Sequence, residues 1–232
     1  MQDLTIDEYK RRVNDFLDAH VDQYTEREIS YIRRNIFHPM TKEYIYYGAD
    51  ILRQIYDELG LLPSEKNIYL GFLKLLEDNF DIDRNIVEVA GGRIPCLAKR
   101  IAIKQKTGTI TVYDPRLIPT IPREENMILK RQSFNTKTPV TGAQLIIGVM
   151  PCDATIAAVE AACDNNIDFM FALCEGGDRS GYEWLETDEE WIGYIKYIAG
   201  NGVKNNDMGT LHQASLESYG SPYPVIYNKR RK

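Results

Sequence analysis

The feature that most constrains this chain is a change of hydrophobic period near residue 85. Before it, apolar residues recur at helical spacing. After it come short, almost uninterrupted apolar runs, with Ile86-Val87-Glu88-Val89 the first, separated by stretches long enough for helices. Such runs suit strands buried on both faces, and strands alternating with helices build a mostly parallel sheet covered on both sides. The expected fold is therefore α/β: an all-helical N-terminal region over 1–80, then a Rossmann-like domain over 81–232. A chain of 232 residues with 44% hydrophobic content can bury such a core.

Within the helical region, Thr5-Ile6-Asp7-Glu8 and Thr25-Glu26-Arg27-Glu28 match the capping box, in which hydroxyl and carboxylate satisfy the first free amides, so two helices start there. The first carries Tyr9, Val13, Phe16, Leu17 and His20 on one face. A third runs from near Thr41 through Ile45, Leu52, Ile55 and Leu59 to Gly60, and Ser64 caps a fourth bearing Leu70, Leu73 and Leu76. Beyond residue 85, strands are expected at 86–89, 109–113, 127–130, 145–150 and 168–173. Helices fall at 95–103, at 154–163 and from the capping box Thr187-Asp188-Glu189-Glu190 to about 199. Residues 212–219 and 223–228 flank Gly220-Ser221-Pro222 as a closing antiparallel hairpin.

Composition narrows the function. No apolar run approaches the roughly 18 residues of a membrane span, and the N-terminus has no apolar stretch behind a basic start, so no membrane role and a cytoplasmic location are expected. Cys96, Cys152, Cys163 and Cys174 are far apart, without C-x-x-C pairing or neighbouring histidines, and read as reduced thiols rather than zinc ligands or a disulfide framework. His20, His38 and His212 are scattered, so no metal is expected. A net charge of −6 supplies no general field for nucleic acid; Arg33-Arg34, Lys130-Arg131 and the basic tail from Lys229 remain as local patches, the tail read as solvated. Nothing in charge or composition singles out an oligomeric state.

In an open parallel sheet, ligands bind beyond the carboxyl ends of the strands. The first strand leads into Glu88-Val89-Ala90-Gly91-Gly92-Arg93-Ile94, a glycine turn that lacks the G-x-G-x-x-G register. The second ends at Asp114, able to accept hydrogen bonds from ribose hydroxyls. The third is followed by Ser133, Phe134 and Asn135, the fourth by Met150-Pro151-Cys152-Asp153, and the fifth by Cys174-Glu175-Gly176-Gly177.

With helices first, a Rossmann-like sheet next and a hairpin last, residues 85 to 232 resemble the class I S-adenosylmethionine-dependent methyltransferases. Ile147 to Asp153 and Phe171 to Cys174 are weakly similar to a subgroup that includes transfer-RNA-methylating enzymes, departing from it at Met150, Asp153 and the single Cys174. The resemblance implies S-adenosyl-L-methionine as cofactor. It implies that Glu88 holds the methionine amino group, that Ala90, Gly91 and Gly92 form the turn beside it, and that Asp114 binds the ribose diol. Ser133 and Phe134 would then contact adenine and Pro151 line the path to the methyl group, with Asp153 as the base; helix capping is an equal alternative for Asp153. Ala90 is tolerable in the turn if its φ stays in the usual region, whereas Ile94 brings β-branched bulk toward the methionine. The methyl acceptor is a small molecule or RNA. Two alternatives stand beside this reading: a catalytically silent Rossmann-like scaffold with a degenerate loop, its Glu88 paired with a lysine or arginine and its Asp114 an ordinary turn residue, and a nicotinamide-dependent oxidoreductase.

Overall fold

Threonines that satisfy free amides fix where the first helices begin. The computed structural model describes residues 4–36, 49–62, 67–174, 182, 184–218 and 221–230. Helix α1, Ile6–Ala19, starts as Thr5 Oγ1 accepts from the Glu8 N–H. Its capping box is only half made, because the Glu8 carboxylate turns to Arg11 and Arg12. Helix α2, Glu26–Asn35, has the complete box, with the Thr25 N–H returning to Glu28 Oε2 at 2.8 Å. Tyr9, Val13, Phe16 and Leu17 are buried, while His20 lies at the end of α1.

Helix α3, Ala49–Glu58, ends in a left-handed terminator: Gly60 takes φ +64°, its N–H donates to Asp57 O, and the Leu61 N–H donates to Tyr56 O at 2.7 Å. Thr41 and Ile45 lie outside the described residues, as does Ser64. The cap of α4, Ile68–Asn79, is instead Asn67, whose Oδ1 accepts from the Tyr69 and Leu70 N–H groups. An asparagine one residue before the apolar stripe outcompetes a more distant serine because cap geometry reaches only two or three residues ahead. Leu73 and Leu76 are buried and Leu70 is exposed.

Among the described residues seven strands follow: β1 Ile86–Val89, β2 Ile110–Tyr113, β3 Met127–Lys130, β4 Leu145–Val149, β5 Asp168–Ala172, β6 Thr210–Ser218 and β7 Ser221–Lys229. They form one sheet in the order β3-β2-β1-β4-β5-β7-β6. The first five are parallel, β7 runs antiparallel to β5, and β6 pairs antiparallel with β7. Ser218 pairs with Ser221, so Ser221 and Pro222 are strand residues rather than part of the expected turn. An antiparallel strand between β5 and the sheet edge departs from the six-strand dinucleotide-binding order and weighs against the nicotinamide alternative.

The remaining helices are α5, Cys96–Lys104, α6, Ala154–Asp164, and α7, Asp188–Asn205. Helix α7 runs six residues past the expected end at 199 (205 − 199), through Gly200 and Gly202, because Ala199 and Val203 remain buried on the helix's inner face. Burial there overrides glycine's propensity cost of about 1 kcal/mol. One hydrophobic cluster joins α1 to α5 with one face of the sheet; the other joins α6 and α7 with the opposite face. Among the described residues, no helix is long and apolar enough to cross a membrane.

Candidate functional site

The carboxyl ends of β1, β2 and β4 open onto two adjoining cavities. The smaller, about 80 Å³, is walled by Glu88, Ala90, Gly91 and Gly92 from the sheet side and by Ile51, Gln54 and Tyr69 from α3 and α4. The larger, about 330 Å³, is walled by Tyr113, Asp114, Ser133, Phe134, Pro151 and Asp153. Ala90, Arg116, Met150 and Cys152 border both. The nine residues named as cofactor-binding or catalytic candidates, Asp153 among them, therefore line one cavity or the other. Lining residues that were not singled out include Ile51, Gln54, Tyr69, Arg93, Tyr113 and Arg116.

Glu88 is the electrostatic centre of the smaller cavity. It is 2% exposed, and its Oε2 has no hydrogen-bond partner among the described residues. Burial raises its carboxyl to about 8 from an ordinary 4.5; the Ala98 N–H pulls the other way and the Asp114 charge adds to the rise. No lysine or arginine pairs with it among the described residues, contrary to the alternative raised above. Gly91 is where the backbone must pass close: a Cβ there would lie 2.5 Å from Val112 Cγ1 and 3.2 Å from Glu88 Oε2.

Asp114, 1% exposed, differs in having its hydrogen-bonding capacity used. Its Oδ2 accepts from the Gly92 N–H at 3.0 Å and from Arg116 Nη2 at 3.0 Å; its Oδ1 accepts from the Arg116 N–H and Nε at 2.7 and 3.1 Å. The turn reading of Asp114 is thus part of the observed geometry. The Arg116 side chain, however, is more than half exposed.

The glycine turn departs from expectation at two positions. Ala90 adopts φ +57°, the left-handed region, where an alanine costs roughly 1–2 kcal/mol. Ile94 is not among the left-handed residues and is fully buried in the core, its side chain away from both cavities. The bulk expected beside the ligand is directed inward instead. Gln54 explains the turn's shape: its Oε1 accepts from the Arg93 and Ile94 N–H groups at 3.1 and 3.3 Å, and its amide occupies the place a Cβ on Gly92 would take. Arg93 points away, to Glu28, Gln23 O and the face of Tyr24. Helical periodicity marked α3 as core-forming but carried no signal that Gln54 would reach across to the loop.

In the larger cavity, Phe134 is buried and meets Tyr113 edge to face at 5.6 Å, while Ser133 stands exposed at the rim. Met150 and Cys152 flank Pro151 at φ +54° and +50°. Asp153 sits at the N-cap position of α6, yet its side chain makes no cap hydrogen bond, so the capping alternative is not realised. The residue lines the larger cavity and is exposed. Among the described residues, no group of three or more His, Cys, Asp and Glu side chains is arranged to hold a metal. Glu175, Gly176, Gly177, His38 and the tyrosines near residue 46 lie outside the described residues.

No protein-family profile and no curated protein sequence matches the chain. Among solved structures, it is similar to magnesium protoporphyrin IX methyltransferase from Synechocystis PCC 6803 with bound S-adenosylhomocysteine. The TM-score is 0.52 at 7% identity, over 92% of this chain and 100% of that one. Human N-acetylserotonin methyltransferase in complex with S-adenosylmethionine is similar at TM-score 0.47 and 12% identity, over 98% of this chain and 70% of that one. The first likeness, with the strand order, shows that the chain shares the Rossmann-like fold of that methyltransferase.

Proposed function

We propose that this chain is an S-adenosylmethionine-dependent methyltransferase whose cofactor spans the two cavities. One observation carries the reading: a buried carboxyl without a partner on Oε2, at the end of β1, faces a cavity that a glycine turn keeps open. A buried polar atom without a hydrogen bond costs about 1–3 kcal/mol, and a ligand ammonium is the group that relieves it. Beside it, Asp114 exchanges Arg116 for a ribose diol, and the Tyr113–Phe134 wall of the larger cavity offers an apolar surface to a base.

The cofactor supplies an electrophilic methyl carbon on a sulfonium. The chain's residues do the rest. Glu88, Gly91 and Asp114 would hold the donor in line, Met150 and Pro151 would exclude water at the junction of the cavities, and Asp153 would take the proton from a hydroxyl or amine acceptor. The acceptor is a small molecule or an RNA reaching the exposed side of Asp153.

A second reading rests on Gln54. By occupying the glycine turn's amides, it serves a scaffold that has lost the cofactor equally well. Calorimetric titration with S-adenosylhomocysteine, with NAD as control, separates the two. Saturable binding of S-adenosylhomocysteine alone supports the methyltransferase; no binding of either at millimolar ligand supports the scaffold.

A further inference from the structure

The thiols beyond β4 and β5 have no task in that reading. Cys152 Sγ and Cys174 Sγ lie 3.3 Å apart. Strand register brings them together: Val149 pairs with Ala172, and the two cysteines follow three and two residues later (152 − 149 and 174 − 172). A disulfide has an S–S distance of about 2.05 Å, so closing this pair needs a shift of little more than about 1 Å. Cys152 is half-buried and borders both cavities, whereas Cys174 is buried behind it. The other two cysteines are unlike this pair. Cys163 is pushed up to about 11 by burial, and burial with the nearby Asp57 raises Cys96 well above the ordinary thiol value. Both are held as thiols and shielded from oxidants.

We infer that Cys152 and Cys174 form an oxidisable dithiol, which a hydroperoxide converts into a disulfide on the wall of the cleft. The Cys152 thiolate attacks the peroxide, the O–O bond breaks, and sulfenic acid and hydroxide form. The Cys174 thiol then displaces water from the sulfenic sulfur, giving the S–S bond; overall two thiols and one hydroperoxide yield one disulfide, one water and one water or alcohol. Cys152, reached from the cavities, is the attacking thiol and Cys174 the resolving one. The disulfide itself does not depend on the cofactor reading.

The test uses the full chain treated with equimolar hydrogen peroxide, alkylated, digested without reduction and weighed by mass spectrometry. The expected product is a Cys152–Cys174 cross-linked peptide pair that dithiothreitol releases, with Cys96 and Cys163 still protected until the chain is unfolded. In Cys174→Ser the reaction stops at a Cys152 sulfenic acid that dimedone traps. Wild-type Cys152 passing to sulfinic acid without a cross-link, or Cys96 and Cys163 reacting as fast as the pair, overturns the inference. Saturating S-adenosylhomocysteine is expected to slow cross-linking at least fivefold by covering Cys152. Binding without any slowing overturns the placement of the dithiol on the ligand's wall, whereas absence of binding overturns the cofactor reading and leaves the cross-link to be judged alone.

Discussion

The two ends of the parallel sheet are built on opposite rules. At the amino ends of the strands, charge is satisfied. Asp83 Oδ1 accepts from the Lys106, Thr107 and Gly108 N–H groups at 3.0, 2.8 and 3.0 Å. Those bonds, from Thr107 first, hold its carboxyl down to about 2 from an ordinary 3.8. Asp168, the first residue of β5, gathers Arg84, Arg230 and Asn228 at 3.2, 2.8 and 2.9 Å, so the basic tail is tied down at Arg230 rather than solvated there. At the carboxyl ends, Glu88 is driven up to about 8 with Oε2 unpartnered. Stability is concentrated at one end, and the capacity to gain from a ligand at the other.

Asp114 is where both rules meet, and its loss should have the largest effect. Asp114→Ala strands the Gly92 N–H in a buried turn, costing about 1–3 kcal/mol of stability, and removes the ribose acceptor. The expected outcome is a lowered melting temperature together with loss of S-adenosylhomocysteine binding by at least a hundredfold in calorimetry. Intact binding would break the assignment of the carboxyl end.

Asp168→Ala, at the opposite end, should separate stability from ligand binding. It leaves Arg84, Arg230 and Asn228 without their shared carboxylate and is expected to cost about 1–3 kcal/mol in denaturant unfolding. Ligand affinity should stay within twofold, because the cleft lies at the other end of β5. A parallel loss of affinity would show that the two ends are coupled.

Glu88→Gln turns to the unpartnered group itself. Glu88 binds its proton more tightly in the folded chain than in the unfolded one, so stability from this group is fully present below about 4.5 and is lost as pH rises toward about 8. Ligand binding runs the other way. An ammonium pairs with the ionised form, so affinity for S-adenosylhomocysteine should rise by about tenfold per pH unit between pH 6 and 7.5 and level off above 8. Glutamine should abolish that slope, flatten the stability profile, and weaken binding about tenfold at pH 8.

The sequence marked these positions unevenly, for physical reasons. The succession of strands and helices, the glycine turn, and the placement of Glu88, Asp114 and Asp153 at strand ends were legible because alternation of apolar runs and turns is a local signal. Gln54 and Arg116 were not. Their roles depend on where α3 lies over the sheet and on a side chain folding back two residues to Asp114, and neither leaves a periodicity. The turn at Ser221 and the end of α7 were misplaced because pairing across β6 and β7, and burial of Val203, outweigh the local preferences of proline and glycine.

Ala90 gives the finest comparison of the two ends. Among the described residues, five non-glycine ones take the left-handed conformation: Ala90, Met150 and Cys152 at the carboxyl ends, Asn166 and Asp207 at the amino end. Asparagine and aspartate tolerate it, since their short polar side chains can bond locally, and Asn166 Oδ1 is further held by a long-range bond from Arg230. Alanine and methionine have no polar side-chain group to bond locally, and Cys152 has only its weak Sγ–H donor, 3.3 Å from Met150 O, so the strain is concentrated where the ligand is proposed to bind. Ala90→Gly removes the Cβ penalty but frees the unfolded chain, and the net expectation is about 0.5–1 kcal/mol of added stability in denaturant unfolding. Asn166→Gly should instead destabilise slightly, by up to about 1 kcal/mol, because it gives up the Arg230 contact without relieving comparable strain. Equal responses at the two positions would mean that the left-handed residues are ordinary turn geometry at both ends. Opposite signs would mean that the strain around the glycine turn is retained at a cost to stability by the end of the sheet that holds the cleft.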